Sequence, residues 1–193
     1  IKGILFIKKA KYAKYGPIER WNTQKVTDFS NLISYVEEEM KLLGMKPLLS
    51  PRDFNEYIGN WNTSNVIDMS YMFRGLTTSD ADVKPHTFNQ DITRWDVSTV
   101  KNMEGMVYEL VNPETGVFDF NQDIGRWDVS NVENMSKMFS GAVNFTKNLK
   151  DWATNGYYGI KSNVDTENMF GYQEARSKLK IREKYSLLPT NPS

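Results

Sequence analysis

Residues 120 to 139 read FNQDIGRWDVSNVENMSKMF, and this phrase recurs along the chain. Reading from each Trp gives WNTQKVTDF from Trp21, WNTSNVIDMSYMF from Trp61, WDVSTVKNMEGMV from Trp95, and a looser version from Trp152 to Phe170. All five tryptophans therefore occupy one position of one repeat. Self-similarity at a period of about 20 to 50 residues marks an array, whose single unit cannot bury its apolar face and must stack on neighbours.

With the Trp as position zero, an aliphatic residue lies three before it in every unit: Ile18, Ile58, Ile92, Ile124 and Leu149. Seven before it stand Phe54, Phe88, Phe120 and Phe145, while the first unit has Lys14. Side chains four apart share a side of an extended chain, so FNQDIGRW predicts a short strand with Phe and Ile inward. Trp has the opposite parity, and burying it as well requires a bend or bulge just before it. After the Trp, apolar residues fall at positions 5, 8, 11 and 12, as in Val66, Met69, Met72 and Phe73, or Val132, Met135, Met138 and Phe139. We read this spacing as one face of a short helix that closes each coil. Ser130 with Glu133 matches a capping box, and Gly75 and Gly141 suit the left-handed residue that ends a helix. The methionines then belong to the core, and the indoles to a buried stack whose N–H groups bond the turns.

These residues resemble the bacterial-surface-protein-type (BspA-like) leucine-rich repeats, in the subclass of about 25 residues found in mycoplasma, Listeria and large DNA virus proteins. The shared phrase is roughly FNQDISxWDVSNVTxMxxMF. Residues 88 to 103 and 120 to 139 match it almost letter for letter, 54 to 145 match strongly, and 15 to 33 and 145 to 170 weakly. The resemblance implies an α/β repeat fold: a right-handed, leucine-rich-repeat-like solenoid of four to five irregular strand-helix coils with terminal caps. It also implies surface display, adhesion or protein binding, with a virion component as a further setting, and it brings no catalytic residues.

Successive tryptophans lie 40, 34, 32 and 25 residues apart, so the first three gaps hold extra chain at one phase of the unit, after the expected helix. We place these insertions at 34–53, 76–85 and 108–117. The first extends its helix, with Leu32, Val36, Met40 and Leu43 at helical spacing before Pro47 stops it; the others are polar, proline-bearing loops. Insertions at a fixed phase emerge along one edge of an array, where binding surfaces are frequent. Residues 1–14 are expected to form a cap strand, and 171–193 a basic amphipathic helix with an extended tail. The formal charge is zero, but residues 1 to 20 carry six Lys or Arg against one acid, 171 to 193 carry five against two, and the middle thirteen against twenty-one.

Chemistry is sparse. There is no cysteine and the only histidine is His86, so no zinc site of two or more His or Cys ligands can be assembled. Asp91, Asp96, Asp123 and Asp128 would form ladders, yet Asp96 and Asp128 align with Asn22, Asn62 and Ala153. A catalytic acid or metal ligand does not tolerate that exchange, whereas an Asx turn does. Calcium between the Asp91 and Asp123 rungs is the one metal alternative. Tyr12 and Tyr15 beside the first lysines do not make the interleaved platform that stacks bases, and no apolar run reaches the ~20 residues of a spanning helix.

We therefore expect a non-enzymatic repeat scaffold that binds other proteins in a larger assembly, with no catalytic, metal or cofactor residues. No small-molecule ligand, nucleic acid or transmembrane segment is expected. The contact candidates are Thr78, Asp80, Asp82, Lys84, His86, Glu109, Asn112 and Glu114 in the insertions, with Arg176, Lys178 and Lys180 in the basic end. A surface adhesin for glycan or calcium is the alternative. The sequence itself does not fix location; cell surface or virion follows from the resemblance alone.

Overall fold

The computed structural model describes residues 16–33, 54–74, 88–108, 120–142, 145–152, 159–161 and 163–170. Its organising feature is a series of four parallel bridges, Asp28 to Asp68, Asp68 to Asn102, Asn102 to Asn134, and Asn134 to Asp165. In the first four units the bridging residue lies seven after the Trp, and in the fifth a longer segment precedes Asp165. The five units thus pair in chain order and in register.

Backbone hydrogen bonds extend each bridge. The N–H groups of Met69, Tyr71 and Phe73 donate to the carbonyls of Asn102, Glu104 and Met106 at 2.9, 2.8 and 2.9 Å, and Lys101 donates back to Ile67 at 2.8 Å. Phe29, Asn31 and Ile33 repeat this toward unit two, Met103, Gly105 and Val107 toward unit four, and Met135, Lys137 and Phe139 toward unit five. Donation from alternate residues to the next chain is the pattern of parallel strand pairing.

This ladder occupies the segments that the spacing predicts as helix, and there the expectation fails. Residues 66–73 and 132–139 are turns around an isolated bridge. The physical reason is in the spacing itself: positions 5, 8 and 11 are three apart each time, whereas a helix alternates threes and fours to average 3.6. Short i to i+3 bonds close the triplets, Val66 N–H to the Thr63 carbonyl at 2.9 Å and Met72 to Met69 at 3.3 Å. At position 10 the chain turns left-handed, with φ of 53° at Asn31, 53° at Tyr71, 53° at Gly105, 56° at Lys137 and 51° at Asn168. A helix does not survive a left-handed residue at its centre. Ser130 and Glu133 accordingly form no capping box: the Ser130 N–H donates to Asp128 Oδ1 at 3.0 Å, and Glu133 reaches Lys101. Gly141 is left-handed at φ 86°; Gly75 lies outside the described residues.

Before the Trp the described residues form no regular strand, yet Phe and Ile point inward. A side-chain ladder joins the units here. Asn55 Oδ1 accepts the Asn89 N–H at 3.1 Å, Asn89 Oδ1 the Asn121 N–H at 3.0 Å, and Asn121 Oδ1 the Thr146 N–H at 3.0 Å. Gln90 and Gln122 donate through Nε2 to the Asn55 and Asn89 carbonyls at 2.8 and 2.7 Å. The parity of Ile and Trp is resolved by a tight turn: each Trp N–H bonds the carbonyl three residues back, from Trp21 to Ile18 at 3.1 Å through Trp152 to Leu149 at 2.9 Å. In units one and five this turn is a short 3₁₀ helix, Ile18–Arg20 and Lys150–Trp152.

The core is a set of rows running across the units. Trp95 and Trp127 stack at 6.4 Å with planes 7° apart, Phe120 and Phe145 at 6.4 Å and 1°, and Phe73 on Phe88 at 4.1 Å. Burying a side chain of this size contributes about 1.5 to 3 kcal/mol, and the rows include Ile58, Ile92, Val66, Val100, Met69 and Met103, all 0% exposed. The indole N–H groups of Trp61 and Trp95 donate to the carbonyls of Ile18 and Ile58, one unit back, at 2.9 and 3.2 Å. Those of Trp127 and Trp152 are buried and find no partner among the described residues.

Candidate partner-binding surface

Of the Asp residues that would form ladders, Asp91, Asp96 and Asp128 are committed to turns. Asp96 Oδ1 accepts the Ser98 N–H at 3.0 Å, as Asn62 does from Ser64 at 3.1 Å and Asp128 from Ser130 at 3.0 Å. A second set at position 7 does the same, Asp68 with Ser70 at 2.7 Å and Asn134 with Ser136 at 2.9 Å. Asp91 accepts the N–H and hydroxyl of Thr93 at 2.9 and 2.7 Å, and these bonds hold its carboxyl below the usual carboxylate range. Among the described residues no three His, Cys, Asp or Glu converge as a metal site.

Among the described residues two further strips can be traced across the units. The first follows positions 3, 4 and 6, where side chains reach back one unit: Asn65 Nδ2 to the Gln24 carbonyl at 2.8 Å, Thr99 Oγ1 to Ser64 at 2.9 Å, and Asn131 Nδ2 to Ser98 at 2.8 Å. These bonds form one wall of a groove of about 710 Å³ that crosses the units, with Lys25, Thr27, Ile67, Lys101, Glu133 and Lys161 among its lining residues. Ile67 is 47% exposed, although Val66 beside it is fully buried. Lys101 and Glu133 pair at 3.1 Å with both side chains largely in solvent, so their attraction contributes at most about 1 kcal/mol.

The second strip carries Tyr71, whose hydroxyl donates to Glu104 Oε1. Burial first, then this bond and the negative charge of Glu104, push the Tyr71 hydroxyl up to about 12, against the opposing charge of Arg74. Arg74 sits 5.6 Å from the Tyr71 ring centroid and 5.8 Å from that of Tyr108. Asn134 Nδ2 donates to Glu104 Oε2 at 3.4 Å and Lys137 Nζ lies 3.9 Å from Oε1. The strip joins units two, three and four.

The family model described as a mycoplasma protein of unknown function, DUF285, matches residues 4–115 and, in a second register, 85–180. The chain belongs to the DUF285 family. A double match with overlap at 85–115 accords with a DUF285 chain that repeats internally. No curated protein and no solved structure matches it. Among the described residues of this DUF285 protein no helix is long and apolar enough to cross a membrane.

The residues that the sequence put forward for contact, Thr78, Asp80, Asp82, Lys84, His86, Glu109, Asn112, Glu114, Arg176, Lys178 and Lys180, all lie outside the described residues, as do residues 1–14 and almost all of the three insertions. The groove was missed. Its signal is position 6, which reads Thr27, Ile67, Lys101 and Glu133 between a constant Val and a constant Asx.

Proposed function

We propose that this protein is a non-enzymatic repeat scaffold that contacts other proteins as a structural component of a surface assembly, at a cell surface or in a virion. Its repeats are of the BspA-like leucine-rich type, and the units wind as a right-handed solenoid with capped ends. The observation that carries the reading is the division of labour within the unit. Polar side chains at positions 1, 4 and 7 are consumed by turns and inter-unit bonds, while exposed position 6 changes character from unit to unit. A surface that is rigid in its frame and variable in its exposed residues suits recognition of a macromolecule.

The test is chemical cross-linking of the native protein in its source cells or particles, followed by mass spectrometry. Cross-links to a second protein within a large complex are expected. A monomer with no cross-linked partner refutes the scaffold. Binding on a glycan array, or a calcium-linked rise in melting temperature, replaces it with the surface adhesin.

A further inference from the structure

The groove across positions 3, 4 and 6 differs in charge from the array that carries it. From residue 21 to 170 acids outnumber Lys and Arg by twenty-one to thirteen. Yet the groove is lined by three lysines, Lys25, Lys101 and Lys161, against the single carboxylate of Glu133. That carboxylate is bound to Lys101 at 3.1 Å. The uncompensated positive charges therefore lie toward the two ends, at Lys25 in unit one and Lys161 in unit five. Between them stand exposed Ile67 and the hydroxyl and amide groups of Thr27, Ser98 and Asn131.

We propose that this groove docks an extended, acidic segment of a partner protein, laid across the units with carboxylates at Lys25 and Lys161 and an apolar side chain on Ile67. The inference rests on the protein-contact reading above and names the face and the chemistry of the partner. The distance supports an extended chain. Units paired as parallel strands are about 4.8 Å apart, so four steps from unit one to unit five span about 19 Å, which an extended peptide covers in about six residues. Acidic residues at that separation reach both lysines at once, and the intervening residues face the Thr27 hydroxyl and the amide oxygen of Asn131, whose Nδ2 is held by the Ser98 carbonyl. Nucleic acid is disfavoured because no aromatic ring lines the groove for stacking.

The test uses the full chain and a fluorescein-labelled decapeptide of alternating Glu and Val, with a Lys-Val decapeptide as its counterpart, read by fluorescence anisotropy. The acidic peptide is expected to bind and the basic one not. Raising salt from about 0.05 to about 0.5 M shortens the screening length and is expected to weaken binding severalfold. Lys25→Glu together with Lys161→Glu is expected to weaken it about tenfold or more, and Ile67→Asp to weaken it further, while Lys150→Glu, exposed but outside the groove, leaves it unchanged. Circular dichroism melting of each variant confirms that it folds. Three results overturn the proposal: no binding of the acidic peptide, equal loss in Lys150→Glu, or tighter binding of a sulfated oligosaccharide than of the peptide. Cross-linking separates this from the broader reading. Partners captured only at other faces remove the groove and leave the scaffold; peptide binding by a chain with no cellular partner leaves the groove and removes the scaffold.

Discussion

Gly105→Ala tests the local geometry most sharply, because two independent costs act at one atom. Gly105 holds φ at 53°, and a side chain there pays about 1 kcal/mol for the left-handed conformation. Its Cβ would also meet Tyr71 Cδ1 at 2.6 Å, well inside contact distance, and such overpacking costs a further ~1 to 3 kcal/mol. The sum is about 2 to 4 kcal/mol. In a domain of this size each kcal/mol lowers the melting temperature by about 2 to 4 °C, so a fall of roughly 5 to 15 °C is expected. A double-mutant cycle with Tyr71→Ala separates the two costs. Removing the ring removes the clash, so Gly105→Ala in the Tyr71→Ala background should cost only the ~1 kcal/mol of backbone strain, a coupling of ~1 to 3 kcal/mol. Equilibrium urea unfolding followed by tryptophan fluorescence and far-ultraviolet circular dichroism measures all four corners, and coincidence of the two probes checks that the array unfolds as a unit. Equal cost in both backgrounds would refute the stacking of Tyr71 over Gly105, and no cost in either would refute the left-handed turn itself.

The same turn predicts the reverse effect in unit four. Lys137→Gly relieves a left-handed Lys at φ 56° and loses only the 3.9 Å contact with Glu104, so a gain of about 0.5 to 1 kcal/mol is expected in urea unfolding. Thr63→Val deletes the hydroxyl bond to the Asp96 carbonyl at 2.8 Å, but units three and four carry buried Val97 and Val129 at that position; a change within about 1 kcal/mol is expected, and a loss above about 2 would contradict equivalence of the units. Tyr71 titrates with a folded-state value near 12 against about 10 unfolded. A raised value means that its stabilising effect is complete below pH 10 and is lost as the pH climbs to 12; Tyr71→Phe should flatten that part of the stability curve. Phe139→Ala empties a fully buried site against Phe145 and Phe170 at 4.8 and 5.6 Å, which should cost about 3 to 5 kcal/mol.

How far the sequence could be read depended on whether a pattern recorded burial or hydrogen bonding. Trp61, Ile58, Met69 and Phe73 share a phase because they share the core, and periodicity reports burial directly. It does not report which backbone groups are paired. Positions 5, 8, 11 and 12 fit a helical face well enough, yet the N–H groups of Met69, Tyr71 and Phe73 go to the neighbouring unit, and only the strict interval of three distinguishes the cases. Likewise the Asn of FNQD looks like a turn residue within a strand. In the structure it replaces the strand's own pairing by offering Oδ1 to the next unit's N–H. The insertions stand out because they break the repeat, whereas the groove residues vary inside it and leave its length and spacing unchanged.

A residue in a stacked unit meets the same position of its neighbours above and below, so constancy is enforced wherever a side chain bonds or packs against its own counterparts, as Asn55, Asn89 and Asn121 do. Position 6 is under less constraint because its backbone carries the joint between units: Ile67 N–H bonds the Thr27 carbonyl at 2.8 Å and Lys101 N–H bonds the Ile67 carbonyl at 2.8 Å, while the side-chain pair of Lys101 and Glu133 lies largely in solvent. Any side chain is tolerated there at little cost to the ladder, apart from the preferences of cross-strand neighbours. Thr27, Ile67, Lys101 and Glu133 are therefore available to encode a partner without disturbing the stack, and a surface chosen for binding would be expected to use those positions first.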